Sequence, residues 1–360
     1  MKKFIVRFLG LIILLGVAGF FALRVPVVQD FIVKRVAEQN LVRAGEAQYG
    51  QNGLDIVFCG TSSPMGVSDQ AQQCFAVFAG DNFFIVDAGA GSAGKVTKFG
   101  LPTGGLDGVL LTHFHSDHIS ALGDLHLMSW VQGRDYQLPL WGGPGVDRVA
   151  NGINEAFGLD YDYRTGHHGE DILPRAAAGY VATPILASET GLTEIINNDG
   201  LVVSVFKVSH PPIEPAYGYR FDYRGRSIVI SGDTCQDPNV ALASKDADVL
   251  IHEVLQPELT QIIADAQIKE GDPRIGELIA DTLDYHTSPL EATKVATQAN
   301  VDLLVFTHFA PVAPNALIRD IFTRDIGDYP EDKLVLAQDG LVIRLPGDSE
   351  APPLMNRLPD

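Results

Sequence analysis

The chain has 360 residues, 46% of them hydrophobic and 20% charged, with a formal net charge of −19. That composition excludes a disordered chain and leaves room for one large domain or two smaller ones. The acidic balance argues against a nucleic-acid partner, since binders of phosphate backbones usually carry a basic footprint.

The first element is an uncharged run, Phe8 to Leu23, preceded by Lys2, Lys3 and Arg7. As a helix it would reach about 24 Å, short of the ~30 Å hydrocarbon core unless counted from Phe4 with Arg7 snorkelling. No small-x-small cleavage site follows, so residues 1–24 read as a signal anchor or transmembrane helix. That reading tethers the chain to a membrane with its main domain periplasmic or otherwise extracytoplasmic. Arg24, Lys34 and Arg35 leave the orientation open. Residues 25–52 form a connector with Val27, Val28, Phe31, Ile32 and Val36 at roughly helical spacing.

The main domain spans residues 53–346. Asp55–Gly60 reads as a strand ending in a glycine turn, and a loop rich in Ser, Gly and Gln follows to Gln73. Cys59 and Cys74 flank that loop; a disulfide between them and a pair of buried free thiols are both open, and Cys235 reads as a packing residue. Cys74–Ala79 and Phe83–Asp87 form a hairpin about Gly80-Asp81-Asn82. The next strand ends at Thr112 and runs into a helix from about Ile119. Leu138–Trp141 is a strand, Val146–Phe157 a helix, and Gly158–Gly179 an irregular polar stretch with His167 and His168 in a glycine-flanked loop. Leu201–Val208 is a strand, Tyr217–Tyr223 and Ser227–Ile230 a hairpin, and Ala247–Ile251 a strand. Ser288 caps a helix to Ala299 with Pro289 at its first position. Val301–Phe306, Leu334–Gln338 and Leu341–Leu345 are the last strands, and 347–360 is a loose Pro-rich tail. Two strand-rich halves, each with helices, give an α+β chain folded as a four-layer αββα sandwich.

The chemistry lies at the strand ends. Thr112-His113-Phe114-His115-Ser116-Asp117-His118 packs three of the chain's 10 histidines behind an apolar run, and imidazole with an interleaved carboxylate is metal-ligand chemistry. Asp87, His210, Asp233, His252-Glu253 and His308 also follow apolar runs. Strand ends hold side chains more rigidly than free loops, as metal geometry requires.

These residues resemble the metallo-β-lactamase superfamily from about Leu54 to Leu345. Ile251-His252-Glu253, His286-Thr287-Ser288 and Thr307-His308-Phe309-Ala310-Pro311 make the chain most similar to the branch of ribonuclease Z and its arylsulfatase-like relatives. The resemblance implies two zinc ions, with manganese or iron as alternatives. His113, His115 and His210 would hold the first, Asp117, His118 and His308 the second, and Asp233 would bridge them together with a hydroxide. Asp117 could also orient that hydroxide, and Asp87 would fix a ligand imidazole from behind. His286 would act as general acid, held by Glu253. True β-lactamases typically carry Cys or His where Asp233 stands, so the implied reaction is ester cleavage at phosphorus or sulfur.

Ribonuclease Z commonly has a long arm between the residues matching His210 and Asp233; here only twenty-three positions separate them. With the anchor and the acidic charge, this favours a small phosphate or sulfate ester as substrate and argues against nucleic acid. Trp130, Trp141, Tyr161 and Tyr163 could line an aryl pocket or serve as core. The alternatives are a ribonuclease Z-type endonuclease processing transfer-RNA 3′ ends, a β-lactamase-like amidase, and a non-enzymatic membrane-tethered metal-binding scaffold. A homodimer is left open.

Overall fold

The structure is a computed structural model that describes residues 16–17, 19–46, 49–65 and 68–359. The chain divides at Gln48 into two units. In the first, helix α1 (Pro26–Glu46) covers the expected connector, with Val27, Phe31, Val33 and Val36 exposed. Most of the expected anchor lies outside the described residues, and among the described residues no helix is long and apolar enough to cross a membrane. Nothing in the described residues supports the membrane anchor, and the membrane partner and extracytoplasmic placement that were built on it are withdrawn.

The second unit holds two mixed sheets. One has eight strands in the order β15-β14-β1-β2-β3-β4-β5-β6 and the other seven in the order β13-β12-β11-β10-β9-β8-β7. In chain order these are β1 (Gly53–Gly60), β2 (Cys74–Ala79), β3 (Asn82–Val86), β4 (Gly108–Leu110), β5 (Leu138–Gly142), β6 (Tyr180–Pro184), β7 (Thr193–Asn198), β8 (Leu201–His210), β9 (Ile213–Tyr223), β10 (Arg226–Ile230), β11 (Val249–Leu255), β12 (Leu303–Ala310), β13 (Leu334–Leu336), β14 (Leu341–Pro346) and β15 (Leu354–Arg357). The helices include α2 (Ser92–Lys98), α3 (Ser116–Ile119), α4 (Leu122–Val131), α5 (Val146–His168), α6 (Pro238–Ala243), α7 (Pro257–Lys269), α8 (Pro273–Asp281), α9 (Pro289–Ala299) and α10 (Ala316–Ile321).

Strand periodicity explains the layers. Leu54, Ile56 and Phe58 of β1 meet Val249 and Ile251 of β11 and Leu303 and Val305 of β12 in the core between the sheets. The alternate residues Leu250, Val254, Leu304 and Phe306 turn outward to Val295 and Ala296 of α9. Both faces of these strands are apolar, as expected of strands buried on two sides. Helices α2 and α5 pack on the first sheet and α6 and α9 on the second. The Cys59–Cys74 pair is a disulfide joining β1 to β2.

Two expectations are corrected. The helix read as ending at Phe157 runs to His168, because Tyr161 and Thr165 continue its buried face beside Trp130 and Leu173; His167 and His168 end on its exposed last turn. The tail read as loose contributes β15, paired antiparallel to β14 with Leu341 opposite Arg357.

The topology sets the site. Strands β3, β4 and β5 run parallel, as do β10, β11 and β12, so their carboxyl ends gather on one edge. The turn after β10 needs Gly232, which has φ +65 and would place a Cβ 2.3 Å from the Tyr217 carbonyl oxygen. Gly232→Ala is expected to destabilise the fold by at least about 1–2 kcal/mol from backbone conformation alone, read as a lower midpoint in denaturant unfolding; an unchanged midpoint would show that this turn can relax.

Candidate metal centre

Three strand ends, one loop and one mid-strand bulge build the site. Asp87 follows β3 with φ +57, and the Thr112–His118 loop follows β4. His210 ends β8, Asp233 follows β10, and His308 lies inside β12 at φ +50. At His308 the β11–β12 register slips, so that two residues of β12 face one of β11 between the Glu253–Thr307 and Leu255–Ala310 pairs. A bulge of this kind re-aims a side chain out of the ladder.

The result is two groups of donor atoms, each lying within 4.8 Å of one another: His113, His115, His210 and Asp233, and Asp117, His118, Asp233 and His308. Asp233 belongs to both. Its Oδ2 is 3.2 Å from His118 Nε2 and 3.4 Å from His308 Nε2, and Asp117 Oδ2 is 3.0 Å from His308 Nε2. His113 Nε2 and His115 Nδ1 point at one spot, 2.9 Å apart. The expected ligands are thus all brought together.

The rear of the site fixes the imidazoles. Asp87 is wholly buried; its Oδ1 accepts from the Thr112 backbone N–H at 2.9 Å, and its Oδ2 from the Thr112 hydroxyl at 2.8 Å. His118 Nδ1 stands 2.8 Å from that same Oδ2, which makes Nδ1 a donor and turns Nε2 toward Asp117 and Asp233. His210 Nδ1 is held in the same way by the Tyr285 carbonyl at 2.9 Å. His118 Nε2, His210 Nε2 and Asp233 Oδ1 are buried without a hydrogen-bond partner. Convergent orphaned imidazole nitrogens and a carboxylate oxygen are the donor set a borderline cation takes, so the residues fit a metal, typically zinc.

Electrostatics agree. Burial holds His113 well below the usual imidazole range, with His118 adding to the effect, and burial lowers His115 and His210. These rings are neutral and able to ligate. Burial opposes charge on His118, but Asp233, Asp117 and Asp87 raise it well above the usual range. Burial would likewise raise Asp117 and Asp233, yet the imidazoles around them pull both far below the usual carboxylate range.

A third group borders the second. His286 Nδ1 ion-pairs with Glu253 Oε1 at 3.2 Å, and Glu253, His286 and His308 also offer donor atoms within 4.8 Å of one another. Burial lowers His286, but Glu253 outweighs it and lifts the imidazole to about 9. Glu253 is locked in turn, its Oε1 accepting from the Thr287 backbone N–H at 2.9 Å. A cleft of about 230 Å³ opens over these groups, bounded by Ser63, Met65, Thr282 and Tyr285 among others. None of the aromatics considered for an aryl pocket borders it. Trp130 and Tyr161 are core beneath α4 and α5, Trp141 packs against the inter-sheet core, and Tyr163 is exposed. Tyr285, which does border the cleft, and the Thr112 hydroxyl were not singled out in the sequence; the first carried a signal as the neighbour of His286.

Residues 82–309 match the family described as "Beta-lactamase superfamily domain". Ribonuclease Z of Mycobacterium bovis is 34% identical over 261 residues, spanning 72% of this chain and 86% of that protein. Ribonuclease Z of Mycobacterium marinum is 33% identical, spanning 72% and 87%. Among solved structures, the short form of human tRNase Z superposes with a TM-score of 0.56 at 20% identity, covering 81% of this chain and 99% of that one. A metallo-β-lactamase fold protein from Bacillus subtilis gives 0.55 at 19% identity, covering 80% and 98%. These two share the fold. The ribonuclease Z relatives overturn the expectation that nucleic acid is excluded; total charge averages over the surface and does not describe the field at one cleft.

Asp87→Ala removes the acceptor behind His118 and strands the Thr112 donors. It is expected to weaken metal retention 10- to 100-fold, measured by competition with a chelator of known affinity. Retention equal to the parent chain would show that Asp87 does not orient the ligand.

Proposed function

The chain is a metal-dependent hydrolase of the metallo-β-lactamase superfamily, and we propose that the bond it cleaves is an RNA phosphodiester, with transfer-RNA precursors as the substrate class. The identity with ribonuclease Z proteins over most of both chains supports this reading. The observation that carries it is the Glu253–His286 pair beside the donor set. An alkoxide leaving an RNA phosphodiester needs a proton, and lactam opening on a metal site does not call for this pair.

In this proposal His113, His115 and His210 would hold one zinc and Asp117, His118 and His308 the other, with Asp233, which belongs to both donor groups, available to either. Two such cations lower the pKa of a bound water and neutralise charge on the attacked phosphate when bound. The chain's own groups do the rest. Asp117 keeps its carboxylate ionised and accepts a hydrogen bond that aims the attacking water. His286 is protonated at neutral pH and faces the cleft, where it donates to the leaving oxygen. Glu253 holds that imidazole in position and in its charged form, and the Thr287 N–H holds Glu253. Tyr285 and Met65 wall the cleft.

One observation favours a second reading. The interval between His210 and Asp233 is filled by the compact β9–β10 hairpin, where ribonuclease Z commonly carries an arm. A small phosphate or sulfate ester needs no such arm.

The assay is cleavage of a transfer-RNA precursor beside bis-nitrophenyl phosphate, nitrophenyl sulfate and nitrocefin. Cleavage of the precursor, abolished by chelation and restored by zinc, is expected; turnover of the sulfate or of nitrocefin alone would overturn the RNA reading. His286→Ala should lower kcat on RNA by about 10²–10⁴-fold and affect the nitrophenyl phosphodiester far less, because nitrophenolate leaves without a proton. Equal losses on both would remove His286 from the role of acid.

The pH profile gives an independent check. His286 must be protonated to donate, so kcat on RNA should fall as pH rises through about 9. Glu253→Gln keeps the acceptor for Thr287 but removes the charge that raises His286. The alkaline limb should then move to lower pH, and an unmoved limb would assign it to another group.

A further inference from the structure

The cleft does not end at the metal centre. Ser63 borders both the cleft and a second hollow of about 360 Å³. Ser68, Asp69, Gln70 and Lys95 border both that hollow and a third of about 990 Å³. The three hollows adjoin in turn through these shared residues, which lie on the segment between β1 and β2 and on α2.

The far end of the groove gathers cations from three separate segments of an acidic chain: Lys95 and Lys98 of α2, Arg319 of α10 and Arg357 of β15. Asp69, Asp320 and Asp339 share the lining. Asp339 is only 1% exposed and is committed to Lys95 at 3.3 Å, to the Ala71 N–H and to the Thr61 hydroxyl. Arg319 donates to the main-chain carbonyls of Leu336 and Ala337, and its guanidinium lies 5.2 Å from the centre of the Phe309 ring. Those acceptors are neutral, so they fix the guanidinium without cancelling its charge. Arg357 lines the same hollow and donates from Nε to the Asp339 main-chain carbonyl at 3.2 Å; burial first, and then the Arg357 charge, lower the Arg319 guanidinium. Two guanidinium groups held near each other, with lysines alongside, are a phosphate-recognising arrangement. Among the described residues no aromatic side chain lines this end, which leaves no platform there for stacking a base.

We propose that this groove takes the sugar–phosphate backbone of the RNA strand flanking the scissile bond, with Lys98, Arg319 and Arg357 as its distal phosphate site. The inference rests on the RNA reading given above. It assigns to the body of the domain, and to the C-terminal strand, a grip on substrate that the short β9–β10 hairpin does not offer. Contacts to backbone alone position the strand without reading its sequence.

The test uses the full-length zinc-loaded chain with Lys98→Glu, Arg357→Gln and the double variant. Lys98 and Arg357 are both exposed, so the fold is expected to survive, and circular dichroism with bis-nitrophenyl phosphate turnover checks the fold and the metal site. Binding of a fluorescent single-stranded RNA is measured against salt, together with kcat and KM for a transfer-RNA precursor. The expected result is a KM for RNA raised roughly tenfold in the double variant, with kcat little changed and the salt slope shallower by about 0.7 per cation removed. If the parent chain cleaves RNA and the folded variants match it in KM and salt slope, the groove assignment falls while the RNA reading stands. If the parent chain neither binds nor cleaves RNA but turns over the small ester, the RNA reading falls and takes the groove with it.

Discussion

The metal centre depends on one buried carboxylate. Asp87 has no solvent to satisfy it, and it takes the Thr112 N–H, the Thr112 hydroxyl and His118 Nδ1. That contact settles the tautomer of His118, and the tautomer settles which nitrogen faces Asp117 and Asp233. The backbone repeats the link, with the Ala88 N–H donating to the His118 carbonyl and the Ala121 N–H to the Ala88 carbonyl. Gly89 makes the close approach possible, because a Cβ there would stand 1.9 Å from the Asp117 carbonyl oxygen. The turn after β3 and the histidine loop after β4 are therefore one docked unit, and His210, Asp233 and His308 are positioned against it.

Those three come from the other sheet, so the centre is also a junction between sheets. Tyr219 donates from β9 to the Leu111 carbonyl just ahead of the histidine loop, and the Tyr217 N–H donates to the Thr112 carbonyl. These bonds tie the two sheets together directly beneath the ligands. Crowding imidazoles and carboxylates in a buried space is unfavourable unless their charges are matched. Here each of Asp117 and Asp233 faces two or more imidazoles, and the remaining lone pairs point inward together. Converging imidazole nitrogens and carboxylate oxygens of this kind suit cations.

How much of this was legible in the sequence follows from burial. Strands covered on both faces read as continuous apolar runs, so β1, β8, β11 and β12 and the ligand-type residues at their ends stood out. Ser288 as a cap followed by Pro289 marked α9, and in the structure Glu291 completes a capping box with Ser288. What escaped notice has no such signature. The Tyr285 carbonyl that holds His210 is a backbone group that any residue possesses. Edge strands β6, β7 and β15 are partly exposed and carry no sustained apolar run. Helices α7 and α8 bury few residues along their lengths, although Asp272 and Pro273 offered a cap and a first position. The extension of α5 was hidden by Gly158 and Gly166, whose poor helix propensity was overridden by the packing of Tyr161.

Net charge misled for a related reason. A total of −19 is a sum over the whole chain, whereas a phosphate in a groove senses charges within about a Debye length, about 8 Å at physiological ionic strength. Acidic residues dispersed over the remaining surface are screened from it. Lys98 is brought beside Arg319 by two separate helices, and Arg357 reaches them only because the C-terminal segment adds a strand to the sheet. No local run of basic residues records that meeting in the sequence, because Lys98, Arg319 and Arg357 belong to three separate segments and only the fold collects them. An acidic chain can therefore present a cationic groove next to its metal centre, and the sign of its total charge is a statement about solubility and long-range steering rather than about the ligand of that groove.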